Sequence, residues 1–171
     1  MNKLYTVDRL GTLTPNQVCR LTRYDDIEPE MLSTHVTDMF PEGVSQHGNA
    51  YFLDSKQEAL IASPALELTF EYARRALYPD RPSRFQSMFA VDSLESAKSF
   101  MEKHPNDKSS IWEVEAETVF RANMNMLYAG NSILATSYRA SVYWAGQDGP
   151  DDSPFWEYLL KCPVTIKNRI T

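Results

Sequence analysis

Cysteine is scarce in this chain. Cys19 and Cys162 are the only two in 171 residues. No short spacing relates them, so the chain carries no cysteine-based metal or redox motif, and the usage fits a reducing compartment. Histidine is almost as rare. His35, His47 and His104 are scattered, none with metal-ligand spacing, and each is expected at the surface; no metal site is expected. Long apolar runs are missing too. None approaches about 18 residues, and the opening MNKLYTVDRL has no apolar signal core, so a cytosolic protein with no membrane partner is expected. There is no GxSxG, no P-loop and no GxGxxG, which removes sequence support for the corresponding nucleophile and dinucleotide folds. Positive charge is in deficit: 17 Lys and Arg face 23 Asp and Glu, a net charge of −6. Such a chain lacks the broad positive field of non-specific nucleic-acid binding, although a local basic patch stays open.

What is present suits a soluble globular protein. Hydrophobic residues at 43% can fill a core, and aromatics at 12% argue against disorder. The length fits one domain over 1–171. LYTVDRL (4–10) alternates as a first strand, GTLTPNQ (11–17) is turn chemistry, and VCRLTR (18–23) suits a second short strand. A helix is expected within 24–43, with Leu32, Val36, Met39 and Phe40 at helical spacing and Pro41 and Gly43 ending it. SQHGNAYFL (45–53) reads as a turn and a short aromatic stretch. The clearest helix is SPALELTFEYARRAL (63–77). Ser63 suits its cap, Pro64 its first position, and Leu66, Phe70, Ala73 and Leu77 its buried stripe.

The segment 84–100 predicts a strand running at once into a helix, with Asp92 and Glu95 at capping-box spacing. In SIWEVEAETVF (110–120), Trp112, Val114 and Ala116 alternate with Glu113, Glu115 and Glu117, which suggests the wet face of an edge strand. MNMLY (124–128) suits core filling. Residues 131–146 predict another helix, 147–154 an acidic loop, and PFWEYLLKCPVTI (154–166) a last strand. The mixed order suggests an α+β fold.

Glu157 is the residue that raises a chemical question. Spacing puts it with Phe155, Leu159 and Lys161, opposite an apolar face of Trp156, Tyr158, Leu160, Cys162, Val164 and Ile166. It is either a solvent-facing carboxylate or one projecting into a cleft beside aromatic walls. The loop DRPSR (80–84) sets two arginines beside a serine, either a solvated turn or a fork for phosphate oxygens.

Three pieces in order, LYTVDRLGT, SRFQSMFAVDSLESAKSF and FWEYLLKCPVTI, resemble the ADP-ribosyltransferase superfamily. Most of the chain is similar to a small bacterial family of uncharacterised proteins in that superfamily. The resemblance implies a split β-sheet cleft with flanking helices that binds NAD, as substrate, in a bent conformation. It implies Glu157 as the catalytic glutamate and Ser87 as the pocket-shaping serine, with Phe89 and Arg84 as neighbours. Arg9 is the nearest match to the first-motif cation, whose usual position holds Thr6. Arg9 and Arg84 would bind NAD phosphates. Phe155 stands where arginine-modifying relatives carry a Gln or Glu, and QDGPDDSP falls where the family has its target-recognition loop. The implied activity is mono-ADP-ribosyl transfer to a macromolecular acceptor, protein favoured over nucleic acid by the net charge. The implied setting is a toxin of toxin–antitoxin or phage-defence systems, with an inhibitor or antitoxin as partner. The alternative is a non-catalytic module of the same fold that binds NAD or a partner.

Overall fold

Short alternating strands make two antiparallel sheets. The computed structural model describes residues 3–54, 60–150 and 152–171; Asp151 of the acidic loop falls outside them. In the first sheet, β1 (Leu4–Asp8), β4 (Ser110–Ala116), β7 (Val164–Arg169) and β2 (Val18–Cys19) lie in the order β1-β4-β7-β2. The second holds β3 (Ser87–Ala90), β6 (Trp156–Lys161) and β5 (Val119–Asn123), in the order β3-β6-β5. Tyr5 and Val91 exchange two backbone hydrogen bonds of 2.8 Å, which tie β1 to the end of β3. Among the described residues, five α-helices complete this mixed α+β arrangement: α1 (Glu30–Met39), α2 (Gln46–Gly48), α3 (Pro64–Leu77), α4 (Leu94–Lys103) and α5 (Ile133–Ala145).

The expected last strand is in fact two. β6 and β7 belong to different sheets and part at Cys162 and Pro163. Proline has no N–H for the ladder, so the chain changes sheet there. The predicted faces of β6 also change. Glu157 and Leu159 are buried at 4% and 0% exposure, whereas Trp156 and Tyr158 are only half-buried. The cause is the cover on the Glu157 face. Leu159 packs there with Phe70 of α3, Phe120 of β5, and Tyr143 and Trp144 of α5. Leu160 packs into a second cluster with Trp112, Val114, Val164 and Ile166.

Other expectations shift for local reasons. β4 is paired on both sides, by β1 and β7, so its glutamates do not lie on an edge strand. Ser93, rather than Asp92, caps α4, and its Oγ accepts from Ser96 N at 3.1 Å. No residue of α1 is buried, and Leu32 is half exposed; Phe40 just beyond it is the residue that enters the core. Residues 46–53 are helical, with α2 continuing into a π turn over Asn49–Leu53. On α3, Phe70 is buried as expected, but Leu77 is 61% exposed. A polar row takes the interior instead: Glu67, Glu71 and Arg74 are all buried.

Candidate active site

The buried row on α3 leads to Glu157. Arg84 opens the short 3-10 turn Arg84–Gln86 just before β3 and is 3% exposed. Its guanidinium meets Glu67 side-on, with Nε to Oε2 at 2.6 Å and Nη2 to Oε1 at 3.0 Å. The planar fork of arginine matches a carboxylate in this bidentate way, which fixes orientation as well as charge. The third nitrogen, Nη1, donates to Glu157 Oε1 at 2.5 Å and to the Tyr143 hydroxyl. Tyr143, from α5, donates in turn to Glu157 Oε1 at 2.7 Å. Both bonds to Glu157 fall on Oε1, and its second oxygen makes neither.

The electrostatics follow from burial and pairing. Burial alone would push the Glu67 carboxyl up, but the Arg84 guanidinium and the His47 imidazole outweigh it and hold the group down at about 2. Burial draws the Arg84 guanidinium down, and Glu157 and Glu67 more than reverse this, so it stays charged. Burial pushes the Tyr143 phenol well up; Arg84 opposes this and Glu157 adds to it, so Tyr143 remains a neutral donor. In formal charge, two carboxylates, Glu67 and Glu157, stand against the one guanidinium of Arg84.

His47 is the residue that sequence reasoning missed most clearly. It was expected at the surface. Instead its side chain is 15% exposed, and Nε2 lies 3.4 Å from Glu67 Oε1. That is an ion-pair distance, longer than a well-formed hydrogen bond. Its ring stacks on Tyr51 with centroids 4.2 Å apart and meets Phe89 edge-on at 4.7 Å. Backbone chemistry brings it there. Ser45 N and Ser45 Oγ both donate to the Phe85 carbonyl, at 2.8 and 3.1 Å, and Ser45 Oγ caps α2 by accepting from Gly48 N. Gly48 has ordinary helical angles; its need for hydrogen is one of space. A Cβ there would stand 2.3 Å from the Phe85 carbonyl oxygen. The serine and glycine flanking His47 were the available signal.

The five predicted site residues, Arg9, Arg84, Ser87, Phe89 and Glu157, line one cleft of about 630 Å³, together with Thr6, His47 and Glu67. Their roles differ. Ser87 is buried, and its hydroxyl donates to Ser83 O at 2.7 Å, so it holds the turn that carries Arg84. Phe89 lies under the Arg84 guanidinium at 4.5 Å. Thr6 is also buried and donates to Phe89 O at 2.7 Å, so it joins β1 to β3 rather than offering a cation. Arg9 is half-buried in the loop after β1. Asp8 folds that loop by accepting the amides of Leu10, Gly11 and Leu13 at 3.0, 2.9 and 2.8 Å. Arg84 was expected at a phosphate; all three of its nitrogens instead bond to Glu67, Tyr143 and Glu157.

The acidic loop before β6 is anchored by asparagines. Asn123 Nδ2 donates to Asp148 O at 2.6 Å, and Phe155 N donates to Asn123 Oδ1 at 3.2 Å. This fixes Phe155, the residue that leads into β6, two positions before Glu157. Among the described residues, no group of three or more His, Cys, Asp and Glu side chains is arranged to hold a metal ion. No described helix is long and apolar enough to cross a membrane.

A mixed α+β chain with a buried carboxylate–guanidinium–phenol cluster in a cleft is the class that fold and site define. The chain belongs to the family described as "Protein of unknown function (DUF2441)", whose model matches residues 20–171. The match begins beyond β1, so Thr6 and Arg9 lie outside it. No curated protein matches the chain.

Proposed function

We propose that this protein is an NAD-dependent mono-ADP-ribosyltransferase that cleaves NAD and passes ADP-ribose to a macromolecular acceptor. The observation that carries the reading is Glu157: a buried carboxylate, oriented by Arg84 and Tyr143, at the wall of a cleft. The cleft size lies within the range of about 300–1,000 Å³ common to small-molecule sites. Arg9 and Arg20 line it and suit the two phosphates, while Phe89, Tyr51 and Phe155 offer ring faces. The residues present therefore fit a dinucleotide.

The chemistry follows from charge. When nicotinamide leaves, positive charge develops at C1′ of its ribose, an oxocarbenium-like state as in glycoside hydrolysis. A fixed carboxylate in a water-poor site stabilises such a cation at little reorganisation cost. The excess negative charge of the Glu67–Arg84–Glu157 cluster suits this task. Arg84 and Tyr143 hold Glu157 in place, and Phe89 and Ser87 hold Arg84. The net charge of −6 favours a protein acceptor over RNA or DNA. A toxin of a toxin–antitoxin or phage-defence system, with its own inhibitor, is the setting we infer.

The commitment of Arg84 to internal partners favours a second reading, a module of the same fold that binds NAD without turning it over. The experiment that separates them is nicotinamide release from NAD by purified protein in cell lysate, wild type beside Glu157→Gln. The transferase reading expects release that needs lysate and falls by about 10²–10³-fold in the variant. Thermal stabilisation by NAD without release would favour the module. Equal release by both proteins would remove Glu157 from the mechanism.

A further inference from the structure

His47 and Glu67 enter the cleft from α2 and α3, and the glutamate role of Glu157 makes no use of their pairing. Glu67 is 1% exposed and bridges two partners. Its Oε1 lies 3.4 Å from His47 Nε2 and 3.0 Å from Arg84 Nη2, and Arg84 reaches Glu157 at 2.5 Å. His47 and Glu157 thus sit at two ends of one ionic chain and line the same cleft. The imidazole is held rather than free: Tyr51 stacks on one face, Phe89 meets its edge, and the Gly48 contact keeps α2 against the Arg84 turn. A histidine whose one nitrogen faces a buried carboxylate, with the ring clamped, has the construction of a general base.

We propose that His47, oriented by Glu67, is the base that deprotonates the acceptor, and that the acceptor group is a hydroxyl. This rests on the ADP-ribosyltransferase reading above. In this assignment the proton sits on Nε2, which faces Glu67 Oε1 at 3.4 Å, and the lone pair is on Nδ1. The bond from C1′ to the nicotinamide nitrogen breaks, and its electron pair leaves with nicotinamide. A lone pair on the acceptor oxygen forms the new C1′–O bond. The O–H proton passes to Nδ1, and the imidazolium formed is stabilised by Glu67. A carboxylate acceptor arrives deprotonated and has no use for such a base; a hydroxyl, which carries no charge and must lose a proton, is the acceptor we assign to it. Among the described residues, the following groups surround the imidazole. Glu67 faces it from α3, with Arg84 and Glu157 behind it. Tyr51, from the π turn, has its hydroxyl taken by Ile61 N at 2.7 Å. Phe85 and Phe89 bring no charge. From the β1 side, Asp8 is occupied by the loop amides and Arg9 lines the cleft.

Two measurements on the full-length chain test this together. The first is the ¹⁵N spectrum of histidine-labelled protein from about pH 5 to about pH 9, with His47→Gln used to assign the His47 signals. The second is the pH profile of nicotinamide release from NAD in lysate, for wild type and His47→Gln. The expected result is an Nε2–H imidazole that titrates in this range. In the rate profile, the wild type has an acidic limb that matches this titration. His47→Gln loses that limb and is slower by about 100-fold. A proton on Nδ1, or an imidazole charged throughout, overturns the assignment whether or not NAD is consumed. Turnover with the acidic limb intact in His47→Gln overturns it while the transferase reading stands. Absence of turnover by the wild type removes both.

Discussion

Two glutamates stand one turn apart on α3, both buried, and they do different work. Glu71 does not line the cleft. It takes a bidentate fork from Arg74 at 3.0 and 2.8 Å, Arg75 Nε at 2.8 Å and the Ser83 hydroxyl at 2.9 Å. Arg74 then donates to the carbonyls of Pro79 and Arg81 at 3.1 and 3.0 Å, so the loop before Arg84 is fastened to the helix. Glu67 has fewer donors. It shares Arg84 with Glu157 and His47 with the cleft. One carboxylate is saturated by cations and holds a loop. The other shares its guanidinium with a neighbouring carboxylate and faces an imidazole. Saturation serves stability, and incomplete compensation leaves charge for chemistry.

That contrast can be broken. The largest effect is expected from Glu71→Ala, which strands the buried Arg74 cation and frees the loop. Stability should fall by about 3–5 kcal/mol, read from urea unfolding, while the folded fraction keeps its rate of nicotinamide release. A comparable loss of activity in the folded fraction would mean that the two carboxylates share one role.

A smaller effect sharpens the contrast through pH. Glu67 is held at about 2, below its ordinary value of 4.5. Between these values the unfolded chain binds the proton and the folded chain does not, so stability rises with pH. The contribution is complete above 4.5 and is lost as pH falls toward 2. Urea midpoints across this window should fall less steeply in Glu67→Gln than in wild type. Equal slopes would show that Glu67 gains nothing from its partners. The smallest effect is expected at Glu115, which pairs with Lys167 at 2.6 Å on the surface, 53% exposed. Glu115→Gln should leave the urea midpoint unchanged, because exposed ion pairs contribute little.

The elements of this fold were largely legible because their signals are local. Pro64 starts α3, Gly146 ends α5 with a left-handed φ of 69°, and alternation marks β1 and β4. Arg9, Arg84, Ser87, Phe89 and Glu157 come from three separate segments of the chain and line one cleft. Glu67, Tyr143 and His47 escaped because a buried polar residue differs from a solvated one only through its partner. Arg84 lies 17 residues from Glu67, and Tyr143 lies 14 from Glu157. Positions 67, 71 and 74 do repeat at helical spacing, one step beside the apolar stripe. Nothing local shows that this second stripe also points inward. The faces of β6 were misjudged for the same reason, since which face α3 and α5 cover is decided by tertiary packing.

The absent side chain at Gly48 also has a mechanical consequence. The Phe85 carbonyl is lodged against the helix backbone and takes two Ser45 bonds on the same oxygen, so α2 and the Arg84 turn are joined directly. The imidazole of His47 and the guanidinium of Arg84 are mounted on one plate. A ligand that displaces one of them is expected to displace the other with it.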